Sequence, residues 1–600
     1  MRRPSAIDRI GPLIAAENRR GVALVIVMVV VMLLALASYG YNHQMVTAYR
    51  LSRLQSDRVQ ARLAALSGIE AMAALVELPP DVRAVRIGDP ATFRGELESG
   101  GTSGGTMAAL SIGDDPAGWA FAILAPRSRV DGDDDGGGGA TGGGGLAGES
   151  AATWRFGLVN ESAKLNVDAL RQQDAVSSGH ARRALLGLPG ATPSDVDAFL
   201  RIHGIVDPRS RVRDLLEQLQ EKGSGDTGGD PNRRLAKLWT GGDWDHNYRI
   251  DPLERLAAEG GPRRRGAAGS GDGLTVPPEP GDGVSGGATG GVTRVGDESP
   301  PPAWRDYVTF QSGRRNVNRF GRPRIYLNAS DLRVLHGQLA EVWPTEWADF
   351  VVLARQHGLS QPSAGESPSQ PAGPNDSGTP GSSDGAEIDW ALPPRFAFAS
   401  AMEMIDKVVS VPSSSGSIRT ITSPWRDTRD GWGDYLERLV DDVTTDPGAF
   451  VNGQIDVTQA PLEVLLGVPG MTRSVAERII EARRGVAAIG STRDSVAWLV
   501  LQDVIDLATL RQWLPWITVG GDCYSGQAIG FRDSTSPVFR CTFVVDGRRG
   551  PIRPGTNAGG SGATFSTPAR APAGVVRVDR FQHWHGWGRG FELSRLRTTP

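Results

Sequence analysis

The sequence predicts an α+β protein that is anchored in a membrane by a long N-terminal helix. Three observations support this fold class. A strictly apolar run near the N-terminus continues into a helical pattern, an internal helix-turn-helix repeat lies in the middle of the chain, and the chain end contains β-branched and aromatic runs with hairpin-like turns. At 600 residues the chain has room for about three or four domains.

The apolar run covers residues 22–37 and reads VALVIVMVVVMLLALA, and no charged residue follows it before Arg50. At about 1.5 Å per residue, this run and the uncharged residues after it can cross a hydrocarbon layer of roughly 30 Å, which predicts a span at about 22–42. Basic residues outnumber acidic ones in 1–21, so the positive-inside rule keeps this leader in the cytoplasm and sends the rest of the chain across the membrane.

A secretory signal peptide is the alternative interpretation of such a run. However, no small-x-small cleavage site with a turn follows, and the next proline is Pro79. We therefore expect one continuous helix over 22–78, amphipathic in its second half. Arg50, Arg53, Asp57, Arg58 and Arg62 lie on the predicted polar side. The predicted apolar side consists of Leu51, Leu54, Leu63, Leu66, Ile69 and Met72.

Glycine and proline are abundant and clustered, with 78 and 40 residues respectively. Segments poor in large apolar residues cannot bury enough surface to offset the entropy of ordering, so they predict flexible insertions. These segments are 98–106, 130–150, 223–231, 259–301, 358–386 and 553–573. The formal net charge of -4 gives no polybasic character for binding nucleic acid.

An internal repeat joins two distant parts of the chain. The segment 185–200, LLGLPGATPSDVDAFL, aligns without gaps on 465–480, LLGVPGMTRSVAERII. The Pro-Gly pair predicts a tight turn, and Thr192 or Thr472 is placed to cap the following helix. We call these two segments the hairpin repeats. A shorter pattern, a strand-like start followed by a helix-capping residue, begins at Lys164, Arg324 and Gln454.

The N-terminus resembles that of type IV pilin-like proteins. Arg19-Arg20-Gly21 is followed by Val22-Ala-Leu and by an apolar helix that runs into ARLAALSGIEAMAAL. The resemblance implies that a prepilin peptidase cuts after Gly21 and leaves Val22 as the mature N-terminus. Most such proteins have a glutamate at the fifth mature position, which here is Ile26. Lack of this glutamate is typical of the K-type minor pseudopilins of type II secretion, the general secretion pathway protein K family.

Further segments resemble that family more loosely: FGLVNESAKLNVDALRQ from Phe156, and the Trp/Tyr segment with an Asn-containing strand from Trp304. The resemblance implies a pilin-like sheet with a large inserted helical domain. The expected parts are strands in 79–170, with the insertion 130–150; helical segments in 171–258, 302–357 and 387–515, separated by linkers 259–301 and 358–386; and a β-rich end in 516–600.

The family resemblance also implies a function and a location. The protein would be a single-pass inner-membrane subunit with most of its chain in the periplasm. It would lie at the tip of the pseudopilus and initiate or cap its assembly for export across the outer membrane. Other minor and major pseudopilins and the prepilin peptidase would be its partners, with Ile26 responsible for tip placement.

The second hairpin repeat, within 455–484, also resembles helix-hairpin-helix units, which have two different uses. DNA-binding versions present backbone amides to a phosphate, and Arg473, Arg478, Arg483 and Arg484 would suit that role. Thr472 stands where such a turn usually has its second glycine, and the first repeat carries Asp195 and Asp197. We therefore favour a packing role, with a membrane-anchored DNA receptor of competence type and a generic anchored scaffold as alternatives.

One segment matches the spacing of a calcium-binding loop. In DWDHNYRIDPLE the positions 1, 3, 5, 7, 9 and 12 are Asp243, Asp245, Asn247, Arg249, Asp251 and Glu254. Five oxygen-bearing side chains and one backbone carbonyl would be available to Ca²⁺. Tyr248 replaces the glycine that normally takes a positive φ, so a solvated acidic turn is the alternative.

The two cysteines, Cys523 and Cys541, both lie near the chain end. Outside the cytoplasm they could form a disulfide that closes a loop of about 18 residues, worth a few kcal/mol. Two unpaired buried thiols are the alternative. Apart from the calcium loop, we find no cofactor motif. No P-loop or zinc-protease motif appears, and the G-x-S-x-G and G-x-G-x-x-G spacings occur only inside the glycine-rich segments given above, where no strand and helix are expected to flank them, so we do not expect an enzyme.

Overall fold

The computed structural model describes residues 11–97, 118–126, 154–176, 179–203, 231–241, 243, 302–361, 388–412, 418–485, 494–533, 536–549 and 577–585. The predicted linker 259–301 and the insertion 130–150 lie outside these residues, as does most of 358–386. The described part combines helices with an antiparallel sheet, and it confirms the coarse α+β fold and the long N-terminal helix.

Helix α1 is a single element of 67 residues, Gly11–Glu77. At about 1.5 Å per residue it is on the order of 100 Å long. It begins eleven residues before the predicted start at Val22, because no helix-breaking residue separates the leader from the apolar run. Its end follows the prediction, because Pro79 and Pro80 cannot continue the helical hydrogen bonding. The short helix α2, Pro80–Ile87, comes directly afterwards.

The main sheet has seven described strands, drawn from two distant parts of the chain. Strands β1 to β4 precede residue 161, and β15 to β17 follow residue 522. Their order is β1-β2-β15-β16-β17, with β3 beside β2 and β4 beside β15, and all pairings are antiparallel. The strand bounds are Arg94–Leu97, Trp119–Pro126, Trp154–Phe156, Val159–Asn160, Cys523–Phe531, Phe539–Asp546 and Arg577–His585.

The second half of α1 packs on this sheet through small side chains. Ala61, Ala64 and Ala65 are fully buried together with Met72 and Val76. A Cβ at Gly530 of β15 would overlap the carbonyl oxygen of Ala61, so the helix and the strand approach at backbone distance. Such an approach is possible only where both elements lack bulky side chains.

This close approach corrects the predicted apolar face of the helix. Ile69 and Met72 are buried as expected, but Leu51 and Leu63 are 56% and 41% exposed. Leucine spacing identified a face that the sheet does not cover. The buried face is instead the alanine-rich one, because the backbone of β15 leaves no room for larger side chains.

The residues between β4 and β15, 161–522, form what we call the inserted region. Its described helices, numbered α3 to α13, are Val167–Val176, His180–Leu186, Pro193–Ile202, Pro231–Thr240, Leu332–Ala340, Thr345–His357, Arg429–Asp442, Leu462–Leu465, Arg473–Gly485, Trp498–Leu501 and Leu507–Trp513. A large apolar core joins them, in which Trp425 is fully buried and makes edge contacts with Trp343, Trp347 and Phe350.

Short strands cross-link the inserted region, which the family resemblance implied to be helical. Their bounds, β5 to β14, are Leu165–Asn166, Val308–Thr309, Gly313–Arg315, Ile325–Tyr326, Val408–Pro412, Ile418–Thr422, Val443–Thr444, Phe450–Asn452, Ile455–Asp456 and Ile517–Thr518. The three strand-like patterns at Lys164, Arg324 and Gln454 each begin one member of a parallel pair: β5 with β6, β8 with β11, and β13 with β14.

The contact at Gly530 generates a stability prediction. Replacing Gly530 with Ala should lower the free energy of unfolding by about 3 kcal/mol or more, because the helix or the strand must move to admit the methyl group. Thermal unfolding of the detergent-solubilised protein, followed by circular dichroism, measures the effect. Gly337→Ala is the matched control. Gly337 lies inside α7 with nothing near its Cβ position, so the same change there should stabilise by about 0.5–1 kcal/mol. Equal unfolding temperatures for the two variants would contradict the packing described.

Candidate functional site

The first half of α1 is an exposed apolar surface. Every described residue from Leu24 to Leu36 is exposed in the isolated chain, although nearly all of them are large and apolar. Over 24–77 the helix is long and apolar enough to cross a membrane. A bare helix of this kind is stable only when lipid or other apolar helices cover it.

The residues expected to act in processing and assembly lie on this helix. Gly21 and Val22 are inside α1, which continues through them from Gly11. Ile26 is 58% exposed and presents an apolar side chain to whatever surrounds the helix.

A buried ion-pair centre joins the end of α1 to the inserted region and to the sheet. The carboxylate of Asp522, directly before β15, accepts hydrogen bonds from the guanidinium groups of Arg83 at 2.6 Å and Arg315 at 3.2 Å. Arg83 belongs to α2, and Arg315 belongs to β7 of the inserted region. All three side chains are almost fully buried. We call these three residues the Asp522 centre.

The same two arginines also cap the C-terminus of α1. Arg83 donates to the carbonyl oxygen of Val76 at 2.8 Å, and Arg315 donates to those of Val76 and Leu78. The last carbonyls of a helix lack partners within the helix and lie at the negative end of its dipole, so cations here satisfy both. The Asp522 centre therefore fixes the direction in which α1 leaves the folded body.

The two neighbouring guanidinium groups keep Asp522 ionised. Burial by itself would raise the pKa of this carboxyl, but Arg83 and Arg315, together with the backbone amide of Arg315, outweigh burial and hold the pKa below its ordinary value. The centre thus consists of one carboxylate shared between two guanidinium groups. Both guanidinium groups also donate to backbone carbonyls.

A second buried polar contact lies where the chain leaves the sheet for the inserted region. The Asn160 amide donates to the carboxylate of Asp456 in β13 at 2.8 Å, and Lys164 pairs with Glu161 at 2.7 Å. Glu161 also accepts from the hydroxyl of Ser525 in β15. Burial raises the pKa of Asp456, although bonds from Thr458 oppose it. Asn160, Glu161 and Lys164 are in the segment with the Lys-Leu-Asn pattern. Their contacts bind the start of the inserted region to β13 and to β15.

The two hairpin repeats form equivalent turns. Each has a short helix, a Pro-Gly turn and a longer helix, with Gly190 at φ +68° and Gly470 at φ +78°. Thr192 caps α5 in a reciprocal arrangement with Asp195, as its position predicted. Asp195 is buried and pairs with Arg234, so its carboxylate serves the fold.

A buried tryptophan holds each turn, and sequence reasoning missed this partner. Trp304 donates from its indole nitrogen to the carbonyl oxygen of Pro189 at 3.2 Å, and Trp513 donates to that of Pro469 at 3.0 Å. Four residues after each tryptophan begins a two-residue strand, β6 or β14, that pairs in parallel with the strand preceding the repeat. The shared spacing Trp-x-x-x-Val/Ile-Thr was the available signal, and it makes the unit a duplicated module.

The predicted calcium loop is described only at its first position. Asp243 is completely buried, and its carboxylate pairs with Arg305 at 2.7 Å. The other positions, Asp245, Asn247, Arg249, Asp251 and Glu254, lie outside the described residues, so calcium binding stays a prediction.

The disulfide left open by the sequence does not form in this fold. Cys523 on β15 lies opposite Asp546, whereas Cys541 on β16 lies opposite Ala528. The two cysteines are five register positions apart, roughly 17 Å along the strands, far beyond the 7 Å or less that a disulfide needs between Cα atoms. Both thiols are free and buried, and burial raises the pKa of Cys541 to about 12.

Comparisons of the chain with models of protein families, with characterised proteins and with solved structures find no match. Only the chain's own residues and geometry therefore bear on its function.

The Asp522 centre predicts a pH-dependent loss in the variant Asp522→Asn. At neutral pH the free energy of unfolding should fall by about 3–5 kcal/mol, because two buried guanidinium groups lose their counter-charge. Since the folded-state pKa of Asp522 is lowered, its contribution is complete above the unfolded value of about 4 and is lost as pH falls through the folded value. The difference from the wild type should therefore shrink in acid.

Denaturant titrations of both proteins from neutral to acidic pH measure this difference. Asp168→Asn is the control, because Asp168 is exposed and its pairing with Arg171 spans 3.5 Å at the surface. A loss for Asp522→Asn no larger than that of the control would show that the centre does not hold the parts together.

The tryptophan anchors predict matching effects in the two modules. Trp304→Phe and Trp513→Phe should each lower the free energy of unfolding by about 1–3 kcal/mol, because each leaves a proline carbonyl without its donor. Trp390→Phe, at a position 38% exposed, should cost less. Equilibrium denaturation measures all three, and an effect in only one module would contradict their equivalence.

Proposed function

We propose that the protein is a K-type minor pseudopilin of type II secretion. It would lie in the inner membrane as a single-pass subunit with most of its chain in the periplasm, at the tip of the pseudopilus, where it initiates or caps assembly for export across the outer membrane. Its partners would be other minor and major pseudopilins and the prepilin peptidase.

The observation that carries this proposal is the division of α1. From Leu24 to Leu36 the helix is apolar and exposed, and from Ala61 the same unbroken helix is buried on an antiparallel sheet. A pilin-like subunit needs both halves: one to lie in lipid before assembly and among sibling helices after it, and one to support the periplasmic domain. A plain anchor would need only the first.

Ile26 supports tip placement. In pilin-like assemblies a carboxylate at this position is thought to pair with the amino terminus of the neighbouring subunit inside the apolar helix bundle. An isoleucine offers no charge for that pairing, and placing an unpaired amino terminus among apolar helices is costly. A subunit of this kind supports others below it but is not itself added on top of one.

The bulk of the inserted region is consistent with the same position. From Ala37 to Glu77 the helix extends about 60 Å beyond the strictly apolar run, and the inserted region is fixed at its far end by the Asp522 centre. A further subunit adding beyond it would have to pass a folded body that includes the eleven described helices α3 to α13. Such a body suits a cap better than a repeating unit.

The contacts of the second hairpin repeat favour packing over binding nucleic acid. Arg483 is buried and donates to the carbonyl oxygens of Val457 and Ala460. Arg473 pairs with Glu477 one turn along the helix. Two of the four arginines that suited a phosphate are thus engaged within the protein, so we do not propose a DNA receptor.

Peptidase processing tests the proposal. The intact mass of the membrane-extracted protein, measured with and without a co-expressed prepilin peptidase, should show a mature chain that begins at Val22 only when the peptidase is present. Gly21→Leu should abolish this cleavage. Gly40→Leu is the matched control within the same helix, because nothing lies near its Cβ position, and it should be processed normally. An unchanged Met1 start under both conditions would support a generic anchor and refute the pseudopilin proposal.

A further inference from the structure

A cavity lies between the two hairpin repeats. It measures about 320 Å³, at the lower end of the volumes typical of small-ligand sites. Three polar residues of the first module, Gln173, His180 and Arg183, lie on one side. The other side is apolar and comes from the second module, with Leu466, Val468, Pro469, Met471 and Trp516.

The cavity is half-open, and its polar side carries an unsatisfied group. His180 is only 6% exposed, and its Nε2 atom has no hydrogen-bond partner among the described residues. The backbone of Gly467, on the opposing repeat, is also a polar neighbour of the ring. A buried polar atom without a partner is costly, and a ligand that supplies one would remove that cost.

The charges of the lining specify the class of ligand. Arg183 is exposed at the rim and supplies a cation, and none of the residues that line the cavity is acidic. An anion is therefore favoured on the polar side, while Trp516 and Leu466 offer apolar surface to the rest of the molecule. The walls of the cavity are held in place by the module contacts, since Gly467 packs directly on Leu165 and Ala184.

We propose that this cavity binds a carboxylate attached to an apolar body, with the carboxylate between Arg183 and His180 and the apolar part against Trp516 and Leu466. A free apolar acid and the C-terminal carboxylate of a polypeptide with an apolar last residue share this chemistry. The site is independent of the function proposed above.

Binding of the carboxylate is coupled to protonation of His180. In the free protein, burial and Arg183 lower the pKa of His180, and Asp174 on α3 opposes them. The facing segment from Leu466 to Met471 contains no titratable side chain. A bound carboxylate adds a negative charge beside the ring and accepts a hydrogen bond from protonated Nε2, so it raises the pKa of His180. The site should therefore bind more tightly as pH falls through the pKa that His180 has in the complex.

Equilibrium dialysis of radiolabelled probes against the full chain in lipid nanodiscs, with empty nanodiscs as the blank, tests the proposal. N-acetylphenylalanine represents a chain terminus, hexanoate represents a free acid, and N-acetylphenylalaninamide lacks the charge. We expect saturable binding of one acid per chain, and binding of the amide weaker by on the order of tenfold or more. Preference between the two acids identifies the source.

Variants separate binding from folding. Arg183→Gln should weaken binding of the acid by on the order of tenfold, and His180→Gln should remove the pH dependence. Arg171→Gln changes an exposed arginine of the same helical pair and should leave binding unchanged. Unfolding temperatures confirm that each variant is folded. Equal affinity for acid and amide, equal binding by the Arg183 and Arg171 variants, or no saturable binding would overturn the proposal.

Discussion

The fold depends on the shared carboxylate of Asp522. Three parts of the chain that are far apart in sequence meet there: the end of α1 through α2, the inserted region through β7, and the sheet through β15. A charge buried in this way is stable only when its partners are in place, so the centre forms completely or not at all. The Asp522 centre holds the helix, the sheet and the inserted region together and fixes the direction of α1.

Small side chains extend this constraint along the helix. The alanines from Ala61 to Ala65 and Gly530 of β15 let two backbones touch, which sets the height of the helix on the sheet. N-terminal to that contact α1 is largely exposed, first over the charged residues from Arg50 to Arg58 and then over the apolar residues from Leu24 to Leu36. The change from a buried to an exposed helix divides α1 into two parts with different surroundings.

The sequence predicted the elements whose determinants are local. The apolar run, the prolines that end α1, the two Pro-Gly turns and the cap at Thr192 can each be predicted from a short segment. The contacts that depend on distant partners were not predictable: the alanine face of α1 is selected by Gly530, and the turns are held by Trp304 and Trp513, far along the chain. The role of Asp522 was not predictable either, because an aspartate before a strand has no distinguishing sequence pattern. The sequence left a disulfide between Cys523 and Cys541 open, and the strand register excludes it.

Photo-crosslinking from the exposed helix tests the account most directly. A photoreactive residue at Val30, in the full chain expressed in its own host, should link to the apolar N-terminal helices of other pilin-like subunits, identified by mass spectrometry. The same residue at Val334, which is similarly exposed on α7 of the inserted region, should not give those products. Absence of such links from Val30, or the same products from both positions, would contradict a role for α1 in a pilin-like bundle.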